Sequence, residues 1–284
     1  MYKILTKRRL NPFTVMMEIE QPLIAKKARP GQFIIFRLDD DAERVPLTIA
    51  GCDPDRGAVM IIFQEVGKST SLLGQKEAGD YIQDFVGPLG RESELDEYKG
   101  KKVAVIGGGL GTAIAYPQAA YLHKIGADVD MIVGFRNKDV VIIEEEMRNA
   151  CNNLYLTTDD GSYIRKGFVS DVLREQIEQG VKYDLVIAIG PLIMMKVICD
   201  LTRPHGIKTI ISMNTIMVDG TGMCGCCRIS YDGQIKFACV DGPDFDGHKV
   251  DFDEAMRRSR VYKNQETEAY HSCKLTGSLR PGRH

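Results

Sequence analysis

The sequence predicts a chain of mixed class, α/β plus all-β: an N-terminal antiparallel β-barrel, then a doubly wound parallel sheet, then a small C-terminal loop domain. Three observations predict it. Short β-rich runs fill the first third, strand and helix patterns alternate from Lys101, and four of the eight cysteines lie between Cys224 and Cys239. Since 284 residues exceed one typical domain, we expect more than one. The expected division is 1–99 for the barrel domain, 100–216 for the sheet domain, 217–250 for the cysteine-bearing domain and 251–284 for a tail.

Composition and charge argue against two classes of protein. With 27% charged residues and a formal net charge of −2, the chain lacks the basic surface of a nucleic-acid-binding protein. Its best apolar run, residues 185–199, is interrupted by Gly190, Pro191 and Lys196, so it is no membrane span. The N-terminus lacks the apolar core of a signal peptide. We therefore expect a cytoplasmic protein, where clustered cysteines are metal ligands more often than disulfides.

The barrel is predicted from β-rich runs that turn residues separate. Turn signals at residues 29–32 and 52–57 divide these runs, and such spacing is typical of a small antiparallel barrel. A charged linker over residues 91–100 follows. The predicted strands are the N-terminal segment and residues 15–19, 33–38, 47–50, 59–65 and 81–85.

The second part is predicted from a change of rhythm after the linker. Apolar strands alternate with helix-length segments, which indicates a parallel sheet with helices on both faces. The tail after Asp251 is polar and is expected to be partly helical. The predicted strands are residues 103–107, 129–134, 153–157, 185–189 and 208–212, and the predicted helices are residues 113–124, 144–151, 169–178 and 194–202.

A glycine run separates the first strand of this sheet from its helix. Backbone amides at such a junction, aided by the helix dipole, can bind a pyrophosphate, so we expect a dinucleotide there. The spacing departs from GxGxxG, because Thr112 takes the place of the third glycine and the next strand ends at Phe135 and Arg136 without an acidic residue. A turn needed only for close strand-to-helix packing is the alternative. The run comprises Gly107, Gly108, Gly109, Leu110, Gly111 and Thr112.

Two further loops lie at carboxyl ends of strands in the same sheet. One holds Asp159 and Asp160, and the other runs from Gly190 through Pro191 to Met194. Ligands of open parallel sheets bind at those ends, so the three loops support one another. Taken singly, the two aspartates are equally consistent with an ordinary capped turn.

The barrel carries its own anion-binding signals. Arg44 precedes a strand, and its guanidinium can bind a phosphate through two hydrogen bonds. Gly67 to Thr70 precede a short helix over residues 71–73, whose first amides can bind the same anion. A Walker loop is excluded because Ile62 stands where its upstream glycine is required.

Glycines surround the cysteines near the C-terminus. The segment from Asp219 to Cys227, with Cys224 and Cys226 between them, is followed by Cys239. Glycine permits the positive φ angles and close approach that a loop around an inorganic centre needs. A zinc site built from Cys224, Cys226 or Cys227, and Cys239 is the alternative.

The order of these motifs resembles the electron-transfer subunits of the dihydroorotate dehydrogenase B family, in the ferredoxin reductase superfamily, over nearly the whole chain to about Gly247. Within that group, the sequence is most similar to the small subunits of NADH-dependent ferredoxin:NADP oxidoreductases, also known as sulfide dehydrogenases. The resemblance implies FAD in the barrel, NAD(H) on the parallel sheet and a [2Fe-2S] cluster in the cysteine loop. Hydride transfer at the flavin needs no side chain as acid or base.

The resemblance also assigns residues. Arg44 would meet the FAD phosphate, and Val45, Pro46, Leu47 and Thr48 would lie along the flavin. The nucleotide would be bound by Gly107 to Thr112 and by the later loops. The remaining assigned residues are Gly67, Lys68, Ser69 and Thr70 for the pyrophosphate of FAD, and Phe135, Arg136, Asp160, Gly190, Pro191 and Met194 for NAD(H).

Relatives carry four cysteine ligands, and laying that pattern on this chain gives Cys224, Cys227, Cys239 and, in the first place, Asp219. We expect Asp219 to be a ligand, since a carboxylate carries the same charge as a thiolate. Cys226 is the competing fourth ligand. Adjacent side chains in an extended segment point to opposite sides, so Cys226 and Cys227 cannot easily share one iron.

The function implied is an electron-transfer subunit that exchanges hydride with NAD(H) and passes electrons to a larger flavin and [4Fe-4S] subunit in a heterodimer. NADP(H) and ferredoxin would react on that partner. Two alternatives stay open: support of dihydroorotate oxidation, and a zinc-stabilised nucleotide-binding regulatory protein. The choice of NAD(H) follows from the resemblance, because Arg136 could also meet the 2′-phosphate of NADP(H).

Overall fold

The computed structural model describes residues 1–275. Its N-terminal part is a seven-stranded antiparallel sheet, in the order β6-β1-β2-β5-β4-β3-β7, curled into a nearly closed barrel. Alternation explains these strands: Val15, Met17 and Ile19 point into the barrel core, and the residues between them are more exposed. The strands are β1 (Tyr2–Asn11), β2 (Thr14–Glu20), β3 (Phe33–Arg37), β4 (Val45–Asp53), β5 (Ala58–Gln64), β6 (Tyr81–Ile82) and β7 (Asp84–Leu89), and the helices are α1 (Pro22–Lys27) and α2 (Lys68–Gln75).

The second part is a mostly parallel sheet in the order β10-β9-β8-β11-β12-β15. Its central strands are buried along nearly their whole length, as strands covered on both faces must be. Strand order reverses between β8 and β11, which makes their carboxyl ends the switch point where such sheets bind ligands. The elements are β8 (Lys102–Gly108), α3 (Gly111–Lys124), β9 (Asp128–Phe135), α4 (Glu144–Asn149), β10 (Asn153–Thr158), α5 (Val169–Glu178), β11 (Leu185–Ile189), α6 (Leu192–Thr202) and β12 (Thr209–Ser212).

The C-terminal part begins with a long loop and a two-stranded hairpin. Its last strand, β15, pairs antiparallel with β12 and so extends the parallel sheet. Helix α9 packs against α2 of the barrel. No helix within residues 1–275 combines the length and apolar character needed to cross a membrane. The elements are β13 (Arg228–Tyr231), β14 (Gln234–Phe237), α7 (Ala238–Asp241), β15 (Asp244–Asp246), α8 (Phe252–Arg258) and α9 (Lys263–Leu275).

The fold class predicted from the sequence is therefore confirmed, with local differences. The strand expected at residues 81–85 is two short strands. The segment expected to be a plain linker buries Leu95 and Tyr98, each 4% exposed, against the sheet. One hydrophobic core cluster joins Phe33 and Ile35 of the barrel to the sheet and to Cys227 and Cys239, so the parts share a continuous interior.

Candidate functional site

The barrel presents a half-buried strand segment beside a helix start. Residues Val45 to Thr48 form the first half of β4 and pair with β3, and all four are partly exposed, whereas Ile49 and Ala50 behind them are buried. Such a segment has a solvent-facing edge that a planar ligand can cover. This is where the sequence expects the flavin.

Helix α2 offers the amides expected for its phosphates. A methyl group built on Gly67, the N-cap, would meet no heavy atom within 4 Å, so the helix start opens onto free space. Thr70 Oγ1 accepts hydrogen bonds from the amides of Val66 and Gly67, at 3.2 and 3.3 Å. The hydroxyl of Ser69 donates to the carboxylate of Glu43, a contact that the sequence analysis missed. The first amides of α2 thus face open space, which fits an anionic ligand.

The glycine run is shaped by close approaches at the switch point. A Cβ on Gly108 would lie 2.5 Å from Met194 Sδ, and a Cβ on Gly190 would lie 2.8 Å from Met194 Cε. Gly109 has a φ of +57°, and its amide donates to the carbonyl of Gly134 at 2.8 Å. The structure therefore brings the first and third predicted nucleotide loops into contact.

Thr112 explains the departure from GxGxxG. A Cβ on Gly107 would lie 2.6 Å from Thr112 Cα, so the first glycine is needed to pack against the start of α3. Thr112 is fully buried, and its Oγ1 has no hydrogen-bond partner among the described residues. An unsatisfied hydroxyl beside the glycine run fits a polar ligand at this helix start.

The loops after β9 and β10 lie side by side. The amides of Asp159 and Asp160 donate to the carbonyls of Phe135 and Arg136, at 3.0 and 3.4 Å. Phe135 is only 2% exposed and belongs to the core under α3, whereas Arg136 and Asp160 are exposed. Asp160 Oδ1 accepts from the amide of Ser162 at 2.9 Å, and the Ser162 hydroxyl and amide lower the pKa of Asp160. An exposed arginine and an ionised carboxylate thus border the nucleotide edge of the sheet.

Asp219 anchors the cysteine loop. Its Oδ1 accepts from the amide of Thr221 at 2.9 Å and its Oδ2 from the amide of Cys224 at 2.7 Å. These hydrogen bonds lower the pKa of the Asp219 carboxyl, and the bond from Thr221 has the largest effect. Asp219 is therefore ionised at neutral pH. A carboxylate beside a cysteine in a glycine-bounded loop is a suitable iron ligand.

The cysteines fall into two pairs. The sulfur atoms of Cys227 and Cys239, both buried, lie 3.2 Å apart, and no disulfide joins any of Cys224, Cys226, Cys227 and Cys239. Cys226 lies beside Cys224, whose thiol is the main cause that raises the pKa of Cys226. Burial raises the pKa of Cys239 to about 12, and a bound metal would have to displace that proton.

This pairing bears on the kind of centre. Within residues 1–275, no three His, Cys, Asp or Glu side chains converge on a point that could hold a single metal ion. Two separate donor pairs fit a two-iron cluster, in which each iron takes two protein ligands, better than one zinc ion. Asp219 and Cys226 both contact Cys224, so the geometry keeps both as candidates for the fourth ligand.

The cysteine loop packs on the barrel at Gly220, another residue that the sequence analysis did not single out. Its φ is +75°, and a Cβ there would lie 2.7 Å from Leu89 Cδ1 and 2.8 Å from Ile35 Cδ1. Only glycine allows the loop to approach β3 and β7 so closely. The glycines around the cysteines were the sequence signal for a close approach. The surface that Gly220 contacts, at Ile35 and Leu89, lies far away in sequence and could not be identified from it.

The barrel, the switch-point sheet and the cysteine loop define a ferredoxin-reductase-like oxidoreductase with an added metal segment. A solved structure of an NADH-dependent reduced ferredoxin-NADP oxidoreductase matches with a TM-score of 0.89 and 40% identity, covering 96% of this chain and 97% of that one. An Amycolatopsis cytochrome P450 reductase, 19% identical with a TM-score of 0.61, shares the fold over 72% of this chain and 65% of its own.

Sequence relatives identify the family. A dihydroorotate dehydrogenase B (NAD(+)) electron transfer subunit homolog from Thermotoga maritima is 44% identical, covering 89% of this chain and 88% of its own. The corresponding subunit from Geobacillus thermodenitrificans is 33% identical, covering 87% and 96%. The model of the iron-sulfur cluster binding domain of dihydroorotate dehydrogenase B matches residues 214–251. The chain belongs to the family of dihydroorotate dehydrogenase B electron transfer subunits. The family and the fold confirm the predicted cofactors, which are FAD, NAD(H) and a [2Fe-2S] cluster.

Proposed function

We propose that this chain exchanges hydride between NAD(H) and FAD and passes electrons through its [2Fe-2S] cluster to a larger flavin and [4Fe-4S] subunit. That subunit would handle NADP(H) and ferredoxin, which makes the complex an electron-bifurcating transhydrogenase. The proposal is supported by the 40% identical structure, which is that of an NADH-dependent reduced ferredoxin-NADP oxidoreductase.

One observation carries the proposal: the cysteine loop lies directly on the barrel. Gly220 touches β3 and β7 without an intervening side chain, and β3 pairs with the β4 segment assigned to the flavin. A centre in this loop would therefore be close to a flavin in the barrel. Proximity is the main requirement that the protein must meet for electron transfer.

The role of the chain's own residues is to bind the cofactors and the nucleotide and to orient them. The amides at the start of α2 and Arg44 would hold phosphate, the half-buried β4 segment would lie along the flavin, and the switch point would place the nucleotide. Asp219, Cys224, Cys227 and Cys239 would hold iron. FAD, when bound, supplies the conversion between hydride and single electrons.

The full chain, purified alone, tests the proposal. We expect FAD, and iron and acid-labile sulfide in the ratio of one [2Fe-2S] cluster. NADH should bleach the flavin faster than NADPH does, and NADH should reduce artificial acceptors but not ferredoxin. Unbleached flavin, or zinc in place of iron and sulfide, would instead support the zinc-stabilised regulatory protein.

Gly108→Ala localises the nucleotide site. Its methyl group would collide with Met194, so we expect reduction by NADH to slow by about 10²-fold through misplacement of the nucleotide, with iron and flavin retained. Gly51→Ala is the matched control, because the nearest heavy atom to its Cβ, in Met60, is 3.8 Å away. Equal rates in the two variants would contradict the assignment of this loop.

Support of dihydroorotate oxidation is the second candidate, because the curated relatives carry that name. The carboxylate in the expected ligand set argues for the first candidate. Co-purification from the native organism decides between them. A partner that oxidises dihydroorotate would establish the second function, and one that reduces NADP with ferredoxin would establish the first.

A further inference from the structure

Two arginines that are distant in sequence donate hydrogen bonds to backbone carbonyls at the two ends of the segment that bears the cysteines. Arg44 Nε donates to the carbonyl of Val218, next to Asp219, at 2.7 Å. Arg91 Nε donates to the carbonyl of Val240, next to Cys239, at 3.2 Å. One arginine precedes β4 and the other lies in the segment after β7, so both come from outside the cysteine segment.

Two more arginines do the same at the remaining candidate ligands. Arg228 Nη1 donates to the carbonyl of Gly225, next to Cys224, at 3.2 Å. Arg258 Nη2, at the end of α8, donates to the carbonyl of Cys226, next to Cys227, at 3.2 Å. Each of the four expected iron ligands is therefore adjacent in sequence to a carbonyl that accepts from a guanidinium.

None of these four guanidinium groups forms an ion pair with a carboxylate in the described part of the chain. Elsewhere arginines are paired, as Arg37 is with Asp84 and Arg165 with Glu175. Asp241 is the one acidic residue, other than Asp219, within two positions of an expected ligand, and its carboxylate accepts from the amide of Phe237 at 2.8 Å. Within the described residues, no ion pair therefore neutralises the guanidinium groups that contact the cysteine segment.

We propose that Arg91, Arg228 and Arg258, whose guanidinium groups are not assigned to the flavin, are positioning residues whose positive charge stabilises the reduced form of the cluster. The inference rests on the proposed function, since it needs a bound cluster. A cluster with four anionic ligands is negative, and reduction makes it more so. Nearby positive charge therefore raises its reduction potential. This offsets the effect of a carboxylate ligand, whose hard oxygen favours ferric iron.

Arg258 gives the cleanest test. It is half-buried, so solvent screens its charge less than the charges of the exposed Arg91 and Arg228, and unlike Arg44 it is not assigned to the flavin. In Arg258→Gln we expect the equilibrium constant for reduction of the cluster to fall by about tenfold, which is 59 mV for a one-electron couple. The measurement is a redox titration of the full chain, followed by the EPR signal of the reduced cluster.

Two variants of the same helix serve as controls. Arg258→Lys retains the positive charge, so the midpoint potential of its cluster should stay close to the wild-type value. Arg257→Gln removes the neighbouring exposed charge and should keep the wild-type value. The inference is overturned if the clusters of Arg258→Gln and Arg257→Gln have the same midpoint potential. It is also overturned if the midpoint potential of Arg258→Lys is as low as that of Arg258→Gln.

Two other results are decisive. If Arg258→Gln loses its cluster, Arg228→Gln is titrated in the same way, and an unchanged potential there overturns the inference. A wild-type chain without acid-labile sulfide refutes the proposed function. If the wild-type chain binds the cluster but the arginine variants have the same midpoint potential as the wild type, only the proposed role of the arginines is refuted.

Discussion

Asp219 contacts its own loop through both carboxylate oxygens, which hold the amides of Thr221 and Cys224. The same residue therefore shapes the loop and presents a charged donor. Cys226, the competitor, lies beside Cys224 and immediately precedes Cys227, which pairs with Cys239 in the interior. The two candidates differ in chemistry, since one offers a hard oxygen and the other a soft sulfur.

Replacing each candidate separately identifies the ligand. If Asp219 binds iron, Cys226→Ser should retain the full content of iron and acid-labile sulfide. Asp219→Cys should then bind an all-thiolate cluster with a less negative midpoint potential, because thiolate favours ferric iron less than a carboxylate does. Metal analysis and EPR-monitored titration make the measurement. Loss of the cluster in Cys226→Ser, with an unchanged potential in Asp219→Cys, would assign the site to Cys226.

Among the elements, the parallel sheet carries a buried charge at the edge opposite the nucleotide loops. Asp130 on β9 is 1% exposed and accepts from Lys102 Nζ at 2.6 Å, Asn153 Nδ2 at 2.8 Å and Tyr183 Oη at 2.7 Å. Burial, together with the hydrogen bond to Asp130, raises the pKa of Tyr183. These contacts join β8, β9 and β10 to the segment just before β11, so the carboxylate ties three strands to that segment.

We expect Asp130→Asn to destabilise the protein by about 3 kcal/mol, because Lys102 loses its buried counter-charge. Asp128→Asn is the matched control, since its carboxylate binds the same lysine at 3.0 Å but is 54% exposed. It should cost under about 1 kcal/mol. Urea unfolding of both variants measures the difference, and equal midpoints would show that burial of Asp130 has no special weight.

Sequence reasoning succeeded where a local pattern determines the element. The bounds of α5 and β11 were predicted as the structure has them, because the apolar periodicity of α5 and the continuous apolar run of β11 are visible locally. Helix α1 was missed because it has six residues, and β15 because its three residues form a strand only beside β12. The flavin, nucleotide and cysteine segments were assigned from the order of the motifs. Arg91 and Arg258 were not, since a lone arginine resembles a solvated charge until the fold brings its distant carbonyl partner close.

Over the whole molecule, the three parts meet at a buried polar junction. Asp244 Oδ2 on β15 accepts from Ser93 Oγ at 2.6 Å and from Gln118 Nε2 at 3.0 Å, and the amide of Ser93 donates to the carbonyl of Pro30 at 2.9 Å. The barrel, α3 and the C-terminal part are thereby joined. The relative placement of the three candidate cofactor sites depends on such contacts between parts.

Gly220→Ala should disturb that placement. Its methyl group would meet Ile35 and Leu89 at a φ of +75°, so we expect the loop to move from the barrel and the iron content to fall, with flavin retained. Gly233→Ala has a similar φ of +73° but open space around its Cβ, so it carries the backbone strain alone. Metal and flavin analysis compares them. Equal iron contents would mean that the close approach does not hold the loop.

Strand β15 has a consequence for dissecting the chain. Because it covers the outer side of β12, a fragment that ends after residue 213 would leave the backbone donors and acceptors of β12 exposed along an open edge. Such an edge invites pairing between molecules and aggregation. The iron-sulfur segment is therefore not a removable module, and the nucleotide-binding region is better studied by point substitution than by truncation.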